Sequence, residues 1–329
     1  MITVGIINYN KAKYIEECIY SAINQSKPPK RIIIVDDCST ENSKEKIEAI
    51  KNTNTSKVKI TSIYLPENSG DPAKPINTII EKTSSEFLFL IASDDFLYEG
   101  CLETLYKESQ SRRYDFVVPG LILTNEEGYP QERWASTDLS PTQIVQKVWA
   151  TGGSGHMSTV GLYATSFLSR VGYIKYNGVE SDTLNTLNYI KHQCKYKIIQ
   201  DPLVAYRQHP GNNSKNLEKR VKRTLTIMQF IVDNFPPKIY LKPTTMPSGG
   251  KEQYLEIVTA LYYIEAAKLY IENKLPTYLQ VKLSKEELTK IAQPFLEEAI
   301  KHLKKAENLG EQHWIGIIDA YSEIEKLRI

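Results

Sequence analysis

The stretch FLFLIASDDFLYEG, residues 87–100, opens with a run of apolar residues suited to a strand buried on both faces and then sets two carboxylates, Asp94 and Asp95, side by side. Strands of that kind belong to parallel sheets covered by helices on both faces. Two adjacent aspartates repel each other and seek water or a cation, so their place at the end of such a strand needs a reason. The second apolar run, RIIIVDD at 31–37, ends the same way, in Asp36 and Asp37.

Working outward, ITVGII (2–7), RIIIVDD, VKITSIYL (58–65), EFLFLIA (86–92) and DFVVPGLIL (115–123) read as strands. Between them lie helical patterns. Ile15, Cys18, Ile19, Ala22 and Ile23 recur at helical spacing, with Asn10 as the expected N-cap. NSKEKIEAIKN, PAKPINTIIEKTS and YEGCLETLYKESQ follow the later strands. Alternation of this kind predicts an α/β architecture built on a mostly parallel sheet. From about 125 to 215 the pattern loosens, and beyond 216 it turns mostly helical. The expected division is an α/β domain over 1–215, with halves at 1–100 and 101–215, followed by a C-terminal α-helical extension over 216–329.

Composition narrows the function classes. Over 329 residues, 41 Lys+Arg stand against 39 Asp+Glu for a net charge of +2, so no global field argues for nucleic acid. The four cysteines are dispersed, without metal-site spacing. Cys18 and Cys101 fall at apolar-periodic positions as small core residues. No apolar run reaches the roughly 20 residues of a membrane span, and Met1 leads almost directly into a strand without a signal-peptide pattern. The expected setting is the cytoplasm.

In open α/β sheets ligands bind outside the carboxyl ends of the strands, so both aspartate pairs are expected to face one crevice. Carboxylates suit Mg²⁺ or Mn²⁺, which complete their shells with phosphate and water. Neither a GxxxxGK[ST] nor a GxGxxG loop is present to support ATP hydrolysis or dinucleotide binding. Taken in order, GIINYNKAKYIEECIYSAINQS, IIIVDDCST, NSGDPAKPINTII and FLFLIASDDFL resemble the family-two glycosyltransferases of GT-A fold over residues 2–100.

That resemblance implies a nucleotide-sugar donor, with UDP the expected nucleotide, and a divalent cation, Mn²⁺ or Mg²⁺. It implies that Tyr9 packs on the base and Asp37 hydrogen-bonds it, with Asn10 on the same nucleotide-binding loop. Asp94 would lie near the ribose or the metal, and Asp95 would be the principal metal ligand. Where the family often has Ala-Arg-Asn, this chain has Pro75-Ile76-Asn77, leaving Lys74 as the nearby basic residue. Inverting transfer needs one base on the acceptor side. By resemblance it falls in NGVESDTLNTLNYI (177–190), where Asp182 is the first choice and Glu180 the second; capping of the helix is the competing role for either. YRQHPGNNS (206–214) resembles the family's His-containing segment, which makes His209 a candidate metal ligand and Arg207 a candidate phosphate contact. The glycine-rich TGGSGHMST (151–159) is either a loop carrying His156 to substrate or a plain turn. Trp134 and Trp149 are expected in cores rather than against sugars.

The helical extension has three readings: a lid, a dimerisation surface, or a platform for a protein or membrane acceptor. The last would use Lys215, Lys219, Arg220, Lys222 and Arg223 against anionic headgroups. The acceptor itself is a glycan, lipid-linked or protein hydroxyl. The alternatives to an inverting, metal-dependent glycosyltransferase are a silent binding protein of the same fold and a sugar nucleotidyltransferase. The second usually carries a basic glycine-rich loop where this chain has INYNKAKY.

Overall fold

A computed structural model describes residues 1–134, 138–151, 160–179, 182–209, 217–236, 239, 249–272, 284–310 and 315–327. The chain divides into two compact units, residues 1–139 with 155–212, and residues 140–154 with 213–329.

The first unit is a mixed nine-stranded sheet flanked by helices. Strands β1 (Ile2–Asn8), β2 (Arg31–Asp36), β3 (Lys59–Tyr64) and β4 (Phe87–Ala92) form its parallel half in the order β3-β2-β1-β4. These are the expected apolar runs, and those of β2 are fully enclosed: Ile32, Ile33, Ile34 and Val35 expose nothing. Helices α1 (Ile15–Ile23), α2 (Ser43–Thr53) and α3 (Ala73–Lys82) make the crossovers. Helix α3 tolerates Pro75 because its first turn has no intrahelical N–H bond to lose. Helix α1 begins later than expected: Tyr14, not Asn10, stands at its N-cap.

Beyond β4 the sheet changes character. The elements are β5 (Phe96–Leu97), α4 (Cys101–Arg112), β6 (Phe116–Thr124), β7 (Pro130–Trp134), β8 (Gly161–Ala164), α6 (Thr165–Val171), α7 (Asp182–Lys191) and β9 (Tyr196–Arg207), with α5 (Pro141–Thr151) between β7 and β8. The four-residue β8 inserts between β4 and β6, antiparallel to both. Strand β9 runs parallel to β6 and antiparallel to β5, pairing Phe96 with Ala205 and Leu97 with Val204.

Strand β8 fits only because of Gly161. A Cβ there would overlap the Phe116 ring and stand 2.8 Å from the Val117 carbonyl oxygen, while Phe116 is already stacked on Tyr163 at 3.9 Å. Gly161→Ala is therefore expected to cost about 1–3 kcal/mol by overpacking, read as a lower urea midpoint.

The second unit is helical: α5, α8 (Leu217–Asn234), α9 (Gly250–Ile271), α10 (Lys285–Leu309) and α11 (Ile315–Leu327). Residues 140–154, expected within the α/β domain, group here instead. Helix α5 is amphipathic, with Ile144, Val145 and Val148 buried and Trp149 packed 4.7 Å from Tyr262, as a core residue. Buried Gln253 donates to the Ala306 carbonyl at 3.1 Å and accepts from Gly249 N–H at 2.8 Å, tying α9 to α10. Among the described residues, no helix is long and apolar enough to cross a membrane. Lys215 and the side chains of Lys219 and Arg220 lie outside the described residues; Lys222 is exposed.

Candidate active site

The register of the parallel half brings the acidic tips to one edge. Asn8 pairs with Asp36 across β1–β2, and Ile7 pairs with Ala92 across β1–β4. Asp37 and Asp94 thus leave strands two positions apart, about 10 Å at the usual strand spacing. Both emerge beyond carboxyl ends, where open parallel sheets bind ligands.

Each aspartate has a distinct job. Asp36 is a fastening: its carboxylate accepts from Asn8 Nδ2 at 2.6 Å, from Ser39 N–H at 2.8 Å and from the Ser39 hydroxyl at 2.7 Å. Asn10, held at φ +51°, reinforces the same turn by accepting from Thr40 N–H at 2.8 Å. Its side chain stabilises the loop rather than capping α1. Asp37 is cradled by the segment after β3, accepting from Ser69 N–H at 3.0 Å, the Ser69 hydroxyl at 2.8 Å and Asn68 Nδ2 at 3.3 Å. Tyr9, 43% exposed, stands on the loop beside it. Lys74 is half-exposed, 3.9 Å from Glu67.

The pair at the tip of β4 divides its burden. Asp94 Oδ2 lies 3.1 Å from Lys11 Nζ and 3.0 Å from His209 Nε2. Burial opposes its ionisation, yet the His209 hydrogen bond and the Lys11 charge outweigh that cost and hold its carboxyl below the usual range. Asp95 is buried and accepts from Arg207 N–H at 2.9 Å. Burial, and then the Asp94 charge, push its carboxyl well above the usual range. The two carboxyls are thus pushed in opposite directions, the behaviour of coupled carboxylates.

Strand β9 delivers the other half of the site. Arg207 is 2% exposed, and its guanidinium is committed inside the protein. Nε donates to Asp94 O at 2.8 Å, Nη1 to Glu126 O at 2.7 Å, and Nη2 to the Glu17 carboxylate. The plane also lies over Tyr14 at 5.0 Å and Phe96 at 5.3 Å. Arg207 therefore braces the aspartate loop; the phosphate-contact role expected of it does not fit a guanidinium so engaged. Two residues on, His209 is buried and stacked on Tyr14 at 5.1 Å, 26° between planes. Tyr14 donates to Glu126 at 2.9 Å, and burial, then that bond, push its hydroxyl up to about 12.

The geometry also tests a divalent cation. Ligands at about 2.1 Å and 90° apart on an octahedral ion are separated by about 3.0 Å. Asp94 Oδ2 and His209 Nε2 have that separation. Among the described residues no group of three His, Cys, Asp or Glu side chains is gathered for an ion. A pair suffices for Mg²⁺ or Mn²⁺, which take one or two protein ligands and fill their shells from phosphate and water. The residues fit, with His209 facing Asp94 rather than Asp95.

On the acceptor side, Asp182 opens α7, and its Oδ1 accepts from the Tyr173 hydroxyl at 3.0 Å. The stretch 173–175 is gripped from two sides. Asn77 of α3 bonds both Tyr173 N–H (3.0 Å) and its carbonyl (2.8 Å), and Asn185 of α7 does the same to Ile174 (2.8 and 3.2 Å). Lys175 also pairs with Asp71, just past the segment that cradles Asp37. Glu180 and His156 lie outside the described residues.

Lys11, Glu17, Tyr14 and Tyr173 were not singled out from sequence. Lys11 follows Asn10 directly in the loop motif, but its partner His209, two residues past β9, is 198 residues away, and nothing local announces it.

Comparison with known proteins bears on this geometry. The model of Glycosyl transferase family 2 matches residues 3–166. The poly(ribitol-phosphate) beta-N-acetylglucosaminyltransferase TarS of Staphylococcus aureus (strain Mu50 / ATCC 700699) is 27% identical over 168 residues, 50% of this chain and 28% of TarS. The corresponding enzyme TarP of S. aureus (strain N315) is 29% identical over 205 residues, 61% of this chain and 60% of TarP. This chain therefore spans less than two thirds of either relative. The crystal structure of S. aureus TarS 1–349 in complex with UDP-GlcNAc superposes with a TM-score of 0.63 at 20% identity, covering 99% of this chain and 89% of that one. It has the same GT-A fold.

Proposed function

Because the chain belongs to glycosyl transferase family 2 through residues 3–166, we propose that it moves a sugar from a UDP-sugar to an acceptor hydroxyl with inversion. The observation that carries this reading is the Asp94–His209 pair, spaced at 3.0 Å as two ligands of one ion, on the same sheet edge as Asp37. Asp94 and His209 hold the cation; Asp95 lies behind them, clamped by Arg207. A bound Mn²⁺ or Mg²⁺ supplies Lewis-acid neutralisation of the departing diphosphate. Asp37 keeps lone pairs for the donor's base, since its bonds to Ser69 and Asn68 fix its orientation without exhausting its acceptor capacity. Tyr9 offers an exposed ring to stack on that base.

Asp182 takes the acceptor proton as the sugar carbon is attacked, and Tyr173 orients the carboxylate. The names of TarS and TarP suggest a polyol-phosphate polymer as the acceptor class and UDP-N-acetylglucosamine as the first donor to assay. We place the reaction in the cytoplasm.

The test is UDP release from UDP-sugars with Mn²⁺, with and without chelator. Asp94→Asn is expected to remove the chelator-sensitive release, at least about tenfold, while leaving the melting transition in place. A silent binding protein releases no UDP in any arm. Full chelator-sensitive release by Asp94→Asn would reject the ligand assignment.

A further inference from the structure

Resting on the reading that Asp94 and His209 hold a divalent cation, we propose that Lys11 is an exchangeable occupant of that position. Its ammonium fills the cation position in the donor-free protein, and it must leave for the metal to enter. Lys11 Nζ stands 3.1 Å from Asp94 Oδ2 and 3.1 Å from His209 Nε2, while those two atoms are 3.0 Å from each other. The three atoms form a nearly equilateral triangle, so Nζ stands equidistant from the two ligand atoms, as an ion sharing both would.

The triangle cannot be satisfied by hydrogen bonds. If Nε2 carries the imidazole hydrogen, it donates to Asp94, and the ammonium faces another donor. If Nε2 carries its lone pair, it accepts from Lys11, and that lone pair confronts the carboxylate oxygen. One edge is unmade in either tautomer. A bare cation accepts electron pairs from both atoms at once and leaves no edge frustrated.

Lys11 is therefore adequate as a counter-charge and inferior as a ligand-binding partner. It keeps Asp94 from being a buried unpaired charge when no donor is present. It also lies on a four-carbon flexible stem, 20% exposed, which lets it withdraw.

Ion entry then depends on where the ammonium goes. A diphosphate arriving at the same edge offers it new oxygens, so nucleotide and metal strengthen each other's binding through the one side chain. Such coupling is reciprocal: each ligand raises the affinity of the other by the same factor.

Mn²⁺ binding, measured by electron paramagnetic resonance on the whole chain without any sugar donor, tests this directly. Lys11→Met keeps the stem and deletes the charge; Lys11→Gln is a second variant, guarding against misfolding of the first. Both are expected to bind Mn²⁺ about tenfold more tightly than wild type, the scale of one nearby charge at a partly solvated site. The enhancement of Mn²⁺ affinity by added UDP should shrink correspondingly. Lys13→Met removes a charge from the same loop, paired with Glu126, and is expected to leave the affinity within about twofold. Asp94→Asn added to Lys11→Met should abolish the gain. Equal Mn²⁺ affinity in wild type and both Lys11 variants overturns the exchange while leaving the metal site standing. Absence of Mn²⁺ binding in every form, even with UDP, overturns the metal reading and the exchange together.

Discussion

Asp182→Asn is expected to lower turnover by about a thousandfold and to leave the KM for the sugar donor nearly unchanged. The magnitude is that of a positioned general base. The pattern follows from the role: a group that acts only as the acceptor proton moves contributes to the transition state and not to donor binding. The substitution is conservative in shape, since the amide oxygen of asparagine still accepts from the Tyr173 hydroxyl that now meets Oδ1 at 3.0 Å. The melting transition should therefore stay in place, which separates lost chemistry from lost structure. Steady-state UDP release at saturating acceptor, with a parallel thermal melt, checks both. If Glu180→Gln carries the loss and Asp182→Asn does not, the base is Glu180 and Asp182 is a capping residue.

Arg207→Met is the largest expected effect on stability, about 3–5 kcal/mol. The side chain is buried beneath the aspartate loop, and its removal strands several partners at once. The carbonyls of Asp94 and Glu126 lose their donors, each a desolvation cost of about 1–3 kcal/mol. Glu17 is half-exposed and recovers water, so its share is small. Arg207→Lys should recover little, because a single ammonium cannot serve three acceptors in the directions that a planar fork reaches. Urea unfolding followed by intrinsic fluorescence measures the shift. A loss below about 1 kcal/mol would mean that the acceptors find other donors and that the bracing role is wrong.

The parallel half of the sheet was legible because β1, β2 and β4 are nearly continuous apolar runs that end in polar or charged residues, with helical spacing between them. The other half was not. Strand β8 is four residues long, and its antiparallel place between β4 and β6 depends on a glycine that lets two rings pass. Helix α5 carries an ordinary amphipathic pattern that says nothing about which unit covers it. The division of labour between Asp94 and Asp95 was also hidden. Neighbouring residues at a strand end point in different directions, and the histidine that faces one of them arrives two residues past β9. Asn10 misled for a related reason: asparagine serves equally as a helix cap or as a left-handed turn residue.

Strand β9 is the last strand in the sequence among the described residues, and it brings Arg207, with His209 two residues beyond, to a loop laid down more than a hundred residues earlier. During synthesis the aspartate tip of β4 emerges long before these partners exist, and contacts of such sequence separation form late. The chemistry-bearing corner is thus the closing stitch of its own domain: a chain cut short before residue 207 keeps the sequence of the whole parallel half and lacks both the guanidinium that braces Asp94 and the imidazole that faces it.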